Sequence, residues 1–155
     1  MPKLSAGILL FRQSNQVLEI LLVHPGGPLW SRKDLGAWSI PKGEFETDED
    51  AFCAAKREFA EETGVDIEGE FIPLTPVRQS AVKIVYAWAV EGDLDASSIH
   101  SNTFTMQWPL KSGRYQEFPE VDRGEWFTVA QARKKMVAGQ LPLLDELVDY
   151  LKRPR

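Results

Sequence analysis

The chain carries a single cysteine, Cys53, among 155 residues. No intrachain disulfide can form, which excludes a disulfide-stapled scaffold and favours a reducing compartment. Histidine is scarce as well. His24 and His100 have no spacing that would pair them at a metal ion or beside a nucleophile, so both are read as structural. Long apolar runs are missing: residues 6–11 are too few to span a bilayer, and no small-residue cleavage site follows them. Excess positive charge is missing too. A formal net charge of -5 and a pI of about 5.1 argue against nucleic acid or an anionic membrane as the main partner. A small anionic substrate is still compatible with that balance, because a bound divalent ion reverses the local sign. Repeats, low-complexity tracts and dividing linkers are absent. The expectation is one cytoplasmic domain over residues 1–155.

What is present is a globular balance, 43% hydrophobic and 26% charged, sufficient for a sizeable core. Residues 4–11 and 17–23 are rich in strand formers, and the polar pair Ser14-Asn15 between them predicts a hairpin. Pro25, Gly26, Gly27 and Pro28 then open a loop that holds Trp30, Arg32 and Lys33. Residues 37–40 read as a short strand stopped by Pro41. A helix is predicted over about 48–62, with Thr47 and Asp50 spaced as a capping box and Gly64 as its stop. Phe52, Ala55 and Phe59 recur on its buried stripe, and Cys53 is expected to pack within it. Residues 82–90 read as a central strand, 104–108 and 125–128 as weaker ones. The stretch 97–122 resists assignment and is read as a long flap. Helices follow over 129–138, stopping at Gly139, and over 143–152 after Pro142. Strands, one helix, more strands, then helices predict a mixed sheet between helical layers.

The polar side of the helix at 48–62 is unusual. Glu58, Glu61 and Glu62 stand at i, i+3 and i+4, so three carboxylates share one face. Each like-charged pair costs a few tenths of a kcal/mol, and their position near the helix C-terminus opposes the macrodipole. Acidic runs are usually solvated surface. Here a hard divalent cation, which takes oxygen ligands, would offset the repulsion.

The surroundings sharpen that reading. Gly43, then Glu49, then Arg57-Glu58-Phe59-Ala60-Glu61-Glu62-Thr63-Gly64-Val65 resembles the box of the Nudix hydrolase family, G-x5-E-x7-R-E-U-x-E-E-x-G-U, where U is a bulky aliphatic residue. Every fixed position is filled. Phe59 at the first U position departs from the pattern and bears on packing rather than chemistry. The lead-in Pro41-Lys42-Gly43-Glu44 also looks like the family's, whereas residues 97–122 align with no general family pattern.

The resemblance implies a fold of the α/β (α+β) type: an α/β/α sandwich with a mixed central sheet. It implies that Gly43, through its carbonyl, and Glu58, Glu61 and Glu62 hold Mg²⁺ or Mn²⁺, and that water attacks a phosphorus atom with a carboxylate as base. Glu58 and Glu61 are the candidate bases in the box, with Glu117 or Glu120 as outside candidates if the flap folds over the site. Arg57 would orient carboxylates, Glu49 would brace the turn into the helix, and Gly43 and Gly64 would supply backbone freedom. Lys42 is the first choice for the substrate phosphates, with Lys83 and Arg32 next and Lys33 also considered. Trp38, and less so Trp30, could stack on a base. The partner is then a small nucleotide, with no nucleic acid and no membrane. A tryptophan before a Pro-Lys-Gly run looks similar to the diadenosine polyphosphate hydrolase branch. Clearance of oxidised nucleoside triphosphates, ADP-sugar cleavage, mRNA decapping and a non-catalytic nucleotide-binding module are the alternatives.

Overall fold

The computed structural model describes residues 2–153. Strands β1 (Lys3–Ser14) and β2 (Val17–Pro25) form the expected hairpin. Asn15 and Gln16 take its two left-handed positions, with φ of 52° and 66°, a two-residue turn whose twist matches that of the strands.

β1 organises the sheet. One of its edges pairs in parallel with β6 (Lys83–Glu91). The other is divided: Ser5, Ala6 and Gly7 pair with β3 (Lys42–Glu44), and the stretch from Phe11 onward pairs with β2. β9 (Val121–Thr128) adds to the far side of β2. Two short strands, β4 (Ile72–Pro73) and β5 (Val77–Ser80), pair with β6 and had no clear signal in the sequence. The sheet is mixed, as expected.

Alternation along β1 builds two cores. Ile8 and Leu10 pack with Ala54, Ala55 and Phe59 of α1 (Ala51–Thr63). Leu9 and Phe11 join Ala132 of α2 (Val129–Lys135) and Leu143, Leu144 and Leu147 of α3 (Leu141–Lys152) on the opposite face. A strand covered on both sides reads as a continuous apolar run, which explains residues 6–11 without a membrane. Among the described residues no helix is long and apolar enough to cross one.

Several boundaries differ from the sequence reading. Residues 37–40 form only two isolated bridges, Val23 with Ser39 and Trp38 with Met136. The strand forms beyond Pro41, whose carbonyl accepts a hydrogen bond from Ile8 N–H at 3.1 Å; proline lacks a donor but keeps its acceptor. α1 begins later than 48, because Asp50 itself is the N-cap and accepts from Cys53 N–H at 2.9 Å. Thr47 takes no part. Phe52 is half-buried and Cys53 is exposed rather than packed. α1 ends as expected on left-handed Gly64, φ 78°.

The stretch 97–122, read as a long flap with a weak strand at 104–108, has regular structure, and the expected strand is β7 (Thr103–Gln107). The stretch also holds a short 3-10 turn, Ala96–Ser98, and β7 pairs with β8 (Tyr115–Pro119) in a separate two-stranded sheet. α2 stops at Lys135, since Met136 leaves the helix to pair with Trp38. α3 includes Pro142 in its first turn, where the missing N–H has no helical partner to lose.

Candidate active site

The site forms where β3 passes beneath the C-terminal half of α1. Glu58 is 8% exposed and points at β3. An ideal Cβ on Gly43 would stand 2.1 Å from the Glu58 carboxyl carbon, so only glycine leaves the carboxylate its place. Gly43 is therefore required for space, and it is not among the glycines with positive φ. Gly64 is the conformational glycine, and His100 packs against it.

Backbone and side-chain donors fix the other carboxylates. Glu62 Oε1 accepts from Lys42 N–H at 3.2 Å. Arg57 Nη2 donates to Glu49 Oε2 at 3.0 Å, while its Nη1 lies 3.5 Å from Glu58 Oε1 and 3.7 Å from Glu61 Oε1. One planar guanidinium thus reaches three carboxylates through its two terminal nitrogens, with a fixed fork geometry that an ammonium lacks. Glu49 Oε1 also accepts from Glu46 N–H at 3.2 Å and closes the turn into the helix.

The negative charge is crowded enough to shift protonation. Burial, then the neighbouring Glu61, pushes the Glu58 carboxyl up to about 7. Burial pushes Glu62 up to about 8, against the pull of Lys42. Glu120, at the junction of β8 and β9, is also raised, by burial and by Glu61. The lysine beside them moves the other way: burial and the nearby Lys83 lower Lys42. Opposed shifts gathered in one cleft mark a functional site more often than a structural one.

Lys42, Lys83, Glu62 and Glu120 border a cavity of about 200 Å³, whose lining also includes Trp30 and Gln79. Its floor is fastened by Gln140, fully buried, which accepts from Ile40 N–H at 3.1 Å and donates to Ser39 Oγ at 3.0 Å and to Gln79 Oε1 at 2.8 Å. Gln79 and Gln140 carried no motif, and only the fold brings them here.

The structure separates the remaining candidates. Lys42 and Lys83 line the cavity. Arg32 lies on the exposed loop between β2 and β3 and does not line it. Trp38 is 1% exposed, with its Nε1 donating to Asp34 at 2.8 Å and its ring edge-on to His24 and Phe127. No face of Trp38 is open to a base, which corrects the stacking role expected for it. Glu117 is exposed on β8 and does not line the cavity, unlike Glu120. His24 is structural as expected: fully buried, with Nδ1 2.9 Å from Asp122 Oδ1 and Nε2 2.6 Å from the Lys33 carbonyl.

The donor set suits a hard cation, being carboxylates with a backbone carbonyl beside them. In this conformation no group of three His, Cys, Asp or Glu side chains among the described residues is drawn tightly enough to hold one. Arg57 and the Lys42 amide hold the carboxylates instead.

A sandwich presenting a carboxylate-rich helix end to a lysine-lined cavity, with this family match, defines a pyrophosphohydrolase. The profile of the NUDIX domain matches residues 1–147, and the chain belongs to the Nudix family. An Ap4A hydrolase from C. elegans, solved as a binary complex, superposes with a TM-score of 0.64 at 21% identity, covering 96% of this chain and 97% of that one. The NUDIX domain of Shewanella oneidensis NrtR, complexed with ADP ribose, gives 0.66 at 18% identity, over 98% and 90%. MutT from Aliivibrio salmonicida and Vibrio cholerae gives 0.57 at 17%, over 95% and 96%. These likenesses establish the shared fold. No curated protein matches the sequence.

Proposed function

We propose that the protein hydrolyses a phosphoanhydride bond in a nucleoside-diphosphate-linked substrate with the help of Mg²⁺ or Mn²⁺. The observation that carries this is the meeting of Glu62 and Glu120 with Lys42 and Lys83 at one cavity, with Glu58 and Glu61 close enough to act on those carboxylates. Burial and neighbouring carboxylates raise Glu58, Glu62 and Glu120 there, and two ammonium groups stand beside them. Charge of both signs in so small a space suits a polyanion bridged by cations.

Glu58, Glu61 and Glu62, with Glu120 across the cavity and the Gly43 carbonyl, would hold the ion. When bound, it would neutralise phosphate oxygens and make water a stronger acid. The chain's own residues do the rest. Lys42 and Lys83 bind the phosphates. Arg57 keeps Glu58 and Glu61 aimed, and Gly43 leaves room for Glu58. A carboxylate takes a proton from water as its oxygen bonds to phosphorus, and the bridging P–O bond breaks with its electrons leaving on the departing phosphate. Glu58, Glu61 and Glu120 are the candidate bases. Gln substitution separates base from ligand: loss of the base lowers kcat, whereas loss of a ligand weakens metal affinity first.

Within this class we favour dinucleoside polyphosphates. The run Trp38-Ser39-Ile40-Pro41-Lys42-Gly43 supports it, as does the shared fold of an Ap4A hydrolase along nearly the whole chain. The test is product release with Mg²⁺ from diadenosine tetraphosphate, 8-oxo-dGTP, ADP-ribose and unmodified nucleoside triphosphates, with Glu61→Gln as control. Turnover of one substrate that vanishes in the variant supports the reading. Silence across the panel, without metal-dependent stabilisation, overturns it in favour of a binding module.

A further inference from the structure

Gln79 lines the carboxylate cavity together with Lys42 and Lys83, and its amide is held one way round. Ile40 sets the direction through both of its backbone groups. Its N–H, which can only donate, gives a hydrogen bond to Gln140 Oε1 at 3.1 Å, so the Gln140 nitrogen faces away from it. Its carbonyl, which can only accept, receives the Ser39 hydroxyl at 2.6 Å. The Ser39 oxygen is then left as an acceptor for Gln140 Nε2 at 3.0 Å, and the second N–H of that amide goes to Gln79 Oε1 at 2.8 Å. Gln79 thus has its oxygen occupied, and among the described residues its Nε2 donates to none. We infer that Gln79 binds the substrate by donating its two amide N–H groups to polyphosphate oxygens, and that Gln140, which does not line the cavity, is the positioning residue that keeps them turned inward. The inference rests on the hydrolase reading for the identity of the anion.

The backbone places Gln79 for this task. Where β5 meets β6 the register shifts: Arg78 stands opposite Ile84 and Ser80 opposite Lys83, so Gln79 is the extra residue of a bulge. Bulges re-aim side chains and recur beside active sites. Behind it, Gly139 of the 3-10 turn Ala138–Gln140 comes so near that an ideal Cβ would stand 2.3 Å from the Gln79 carbonyl oxygen and 2.6 Å from its Cα. The turn that carries Gln140 is packed directly on the residue it orients.

The neighbouring groups select the ligand. Lys42, Lys83 and the Gln79 nitrogen are all donors on one cavity wall. A ligand that satisfies them together presents several acceptor oxygens and negative charge, as a diphosphate does. Glutamate at position 79 would still accept from Gln140 but would turn a charged oxygen toward the phosphates. Methionine there would remove the donors without adding charge.

The test is calorimetric titration of the full chain with methylenediphosphonate and Mg²⁺, a diphosphate analogue that hydrolysis does not cleave. Gln79→Met is expected to weaken binding about tenfold and Gln79→Glu about 100-fold, with melting temperatures close to the parent's. Gln140→Glu keeps the bond from Ile40 N–H but offers Gln79 an acceptor in place of a donor, so the Gln79 amide turns over and presents its oxygen. It should weaken binding about tenfold in the parent background and less than about twofold where position 79 is already methionine. Equal weakening in both backgrounds overturns the positioning role of Gln140. Binding by Gln79→Met within about twofold of the parent, or no binding by the parent, overturns the inference, and the Gln79 variants decide it even if the buried Gln140→Glu does not fold. The hydrolase reading is scored separately by turnover. Turnover together with binding indifferent to Gln79→Met sinks the inference alone. Binding that depends on Gln79 without turnover of any substrate supports the inference and sinks the hydrolase.

Discussion

Glu58 lies so close to the backbone of Gly43 that a β-carbon there would stand 2.1 Å from its carboxyl carbon. The contact joins a residue of β3 to one on α1. Gly43→Ala should displace the Glu58 carboxylate by an ångström or more, and misplacement of that size costs about 100-fold in rate. The expected result is kcat/KM down by about that factor with the circular dichroism spectrum unchanged. Full activity in the alanine variant would mean that Glu58 need not occupy this position.

Arg57 spans Glu49, Glu58 and Glu61 with one guanidinium. Arg57→Lys keeps the charge and loses the planar fork. Activity should fall about tenfold or more, with thermal stability close to that of the parent because the pair to Glu49 is largely exposed. If lysine restores full turnover, charge alone is what the site needs from this position.

The carboxyls of Glu58 and Glu62, raised to about 7 and about 8 from 4.5, tie stability to pH. A raised folded-state value favours the protonated form in the fold. Its contribution is complete below about 4.5 and is lost as pH rises through the folded value. Metal-free protein should therefore be most stable near pH 5 and lose stability up to pH 8, on the order of 3 kcal/mol from Glu58 alone. Mg²⁺ or Mn²⁺ should counter the loss, so its stabilising effect should grow over the same interval. Melting curves with chelator and with metal, taken across pH 5 to 8, check both signs; a metal-free melting temperature that climbs with pH contradicts them.

Glu61→Gln should lower turnover by about 10²- to 10⁴-fold. It should also raise the melting temperature of metal-free protein at pH 8, since it removes a negative neighbour of both Glu58 and Glu120. A fall in that melting temperature would show that Glu61 contributes more through Arg57 than it costs by repulsion.

His24 is fully buried between Asp122 and the Lys33 carbonyl. His24→Ala removes the imidazole from both, leaving Asp122 only the longer pair to Arg123 at 4.0 Å, at a cost of about 2 kcal/mol. The loop after β2 should then exchange its amide hydrogens faster than β1, whose protection should follow only the global change. Unaltered exchange in residues 26–37 would remove His24 as the anchor of that loop.

Much of this site was legible because its chemistry is local in sequence. Three glutamates at helical spacing reach one face whatever surrounds the helix, and Arg57 sits one turn from Glu61. The expectation failed where a side chain's role depends on its neighbours. Trp38 stands beside the site in sequence, yet Phe127, His24 and Asp34 close around it and leave no face free. Trp30, ranked below it, is the tryptophan that reaches the cavity.

The sequence by itself determined the helix, its carboxylates, the hairpin of β1 and β2, and the family, because each rests on periodicity or fixed spacing within a short stretch. The tertiary structure decided the rest. β7 and β8 pair with each other in a short sheet of their own; the alternation of Phe104 and Met106 announced β7, whereas β8 carries no such alternation, so the hairpin across residues 97–122 was not legible. Glu120 and Phe104 acquire their places only when that hairpin meets the loop after β2. Burial is a property of the assembled chain, and it is the largest cause raising Glu58 and Glu62; it also encloses Gln140 beside the cavity and closes off Trp38.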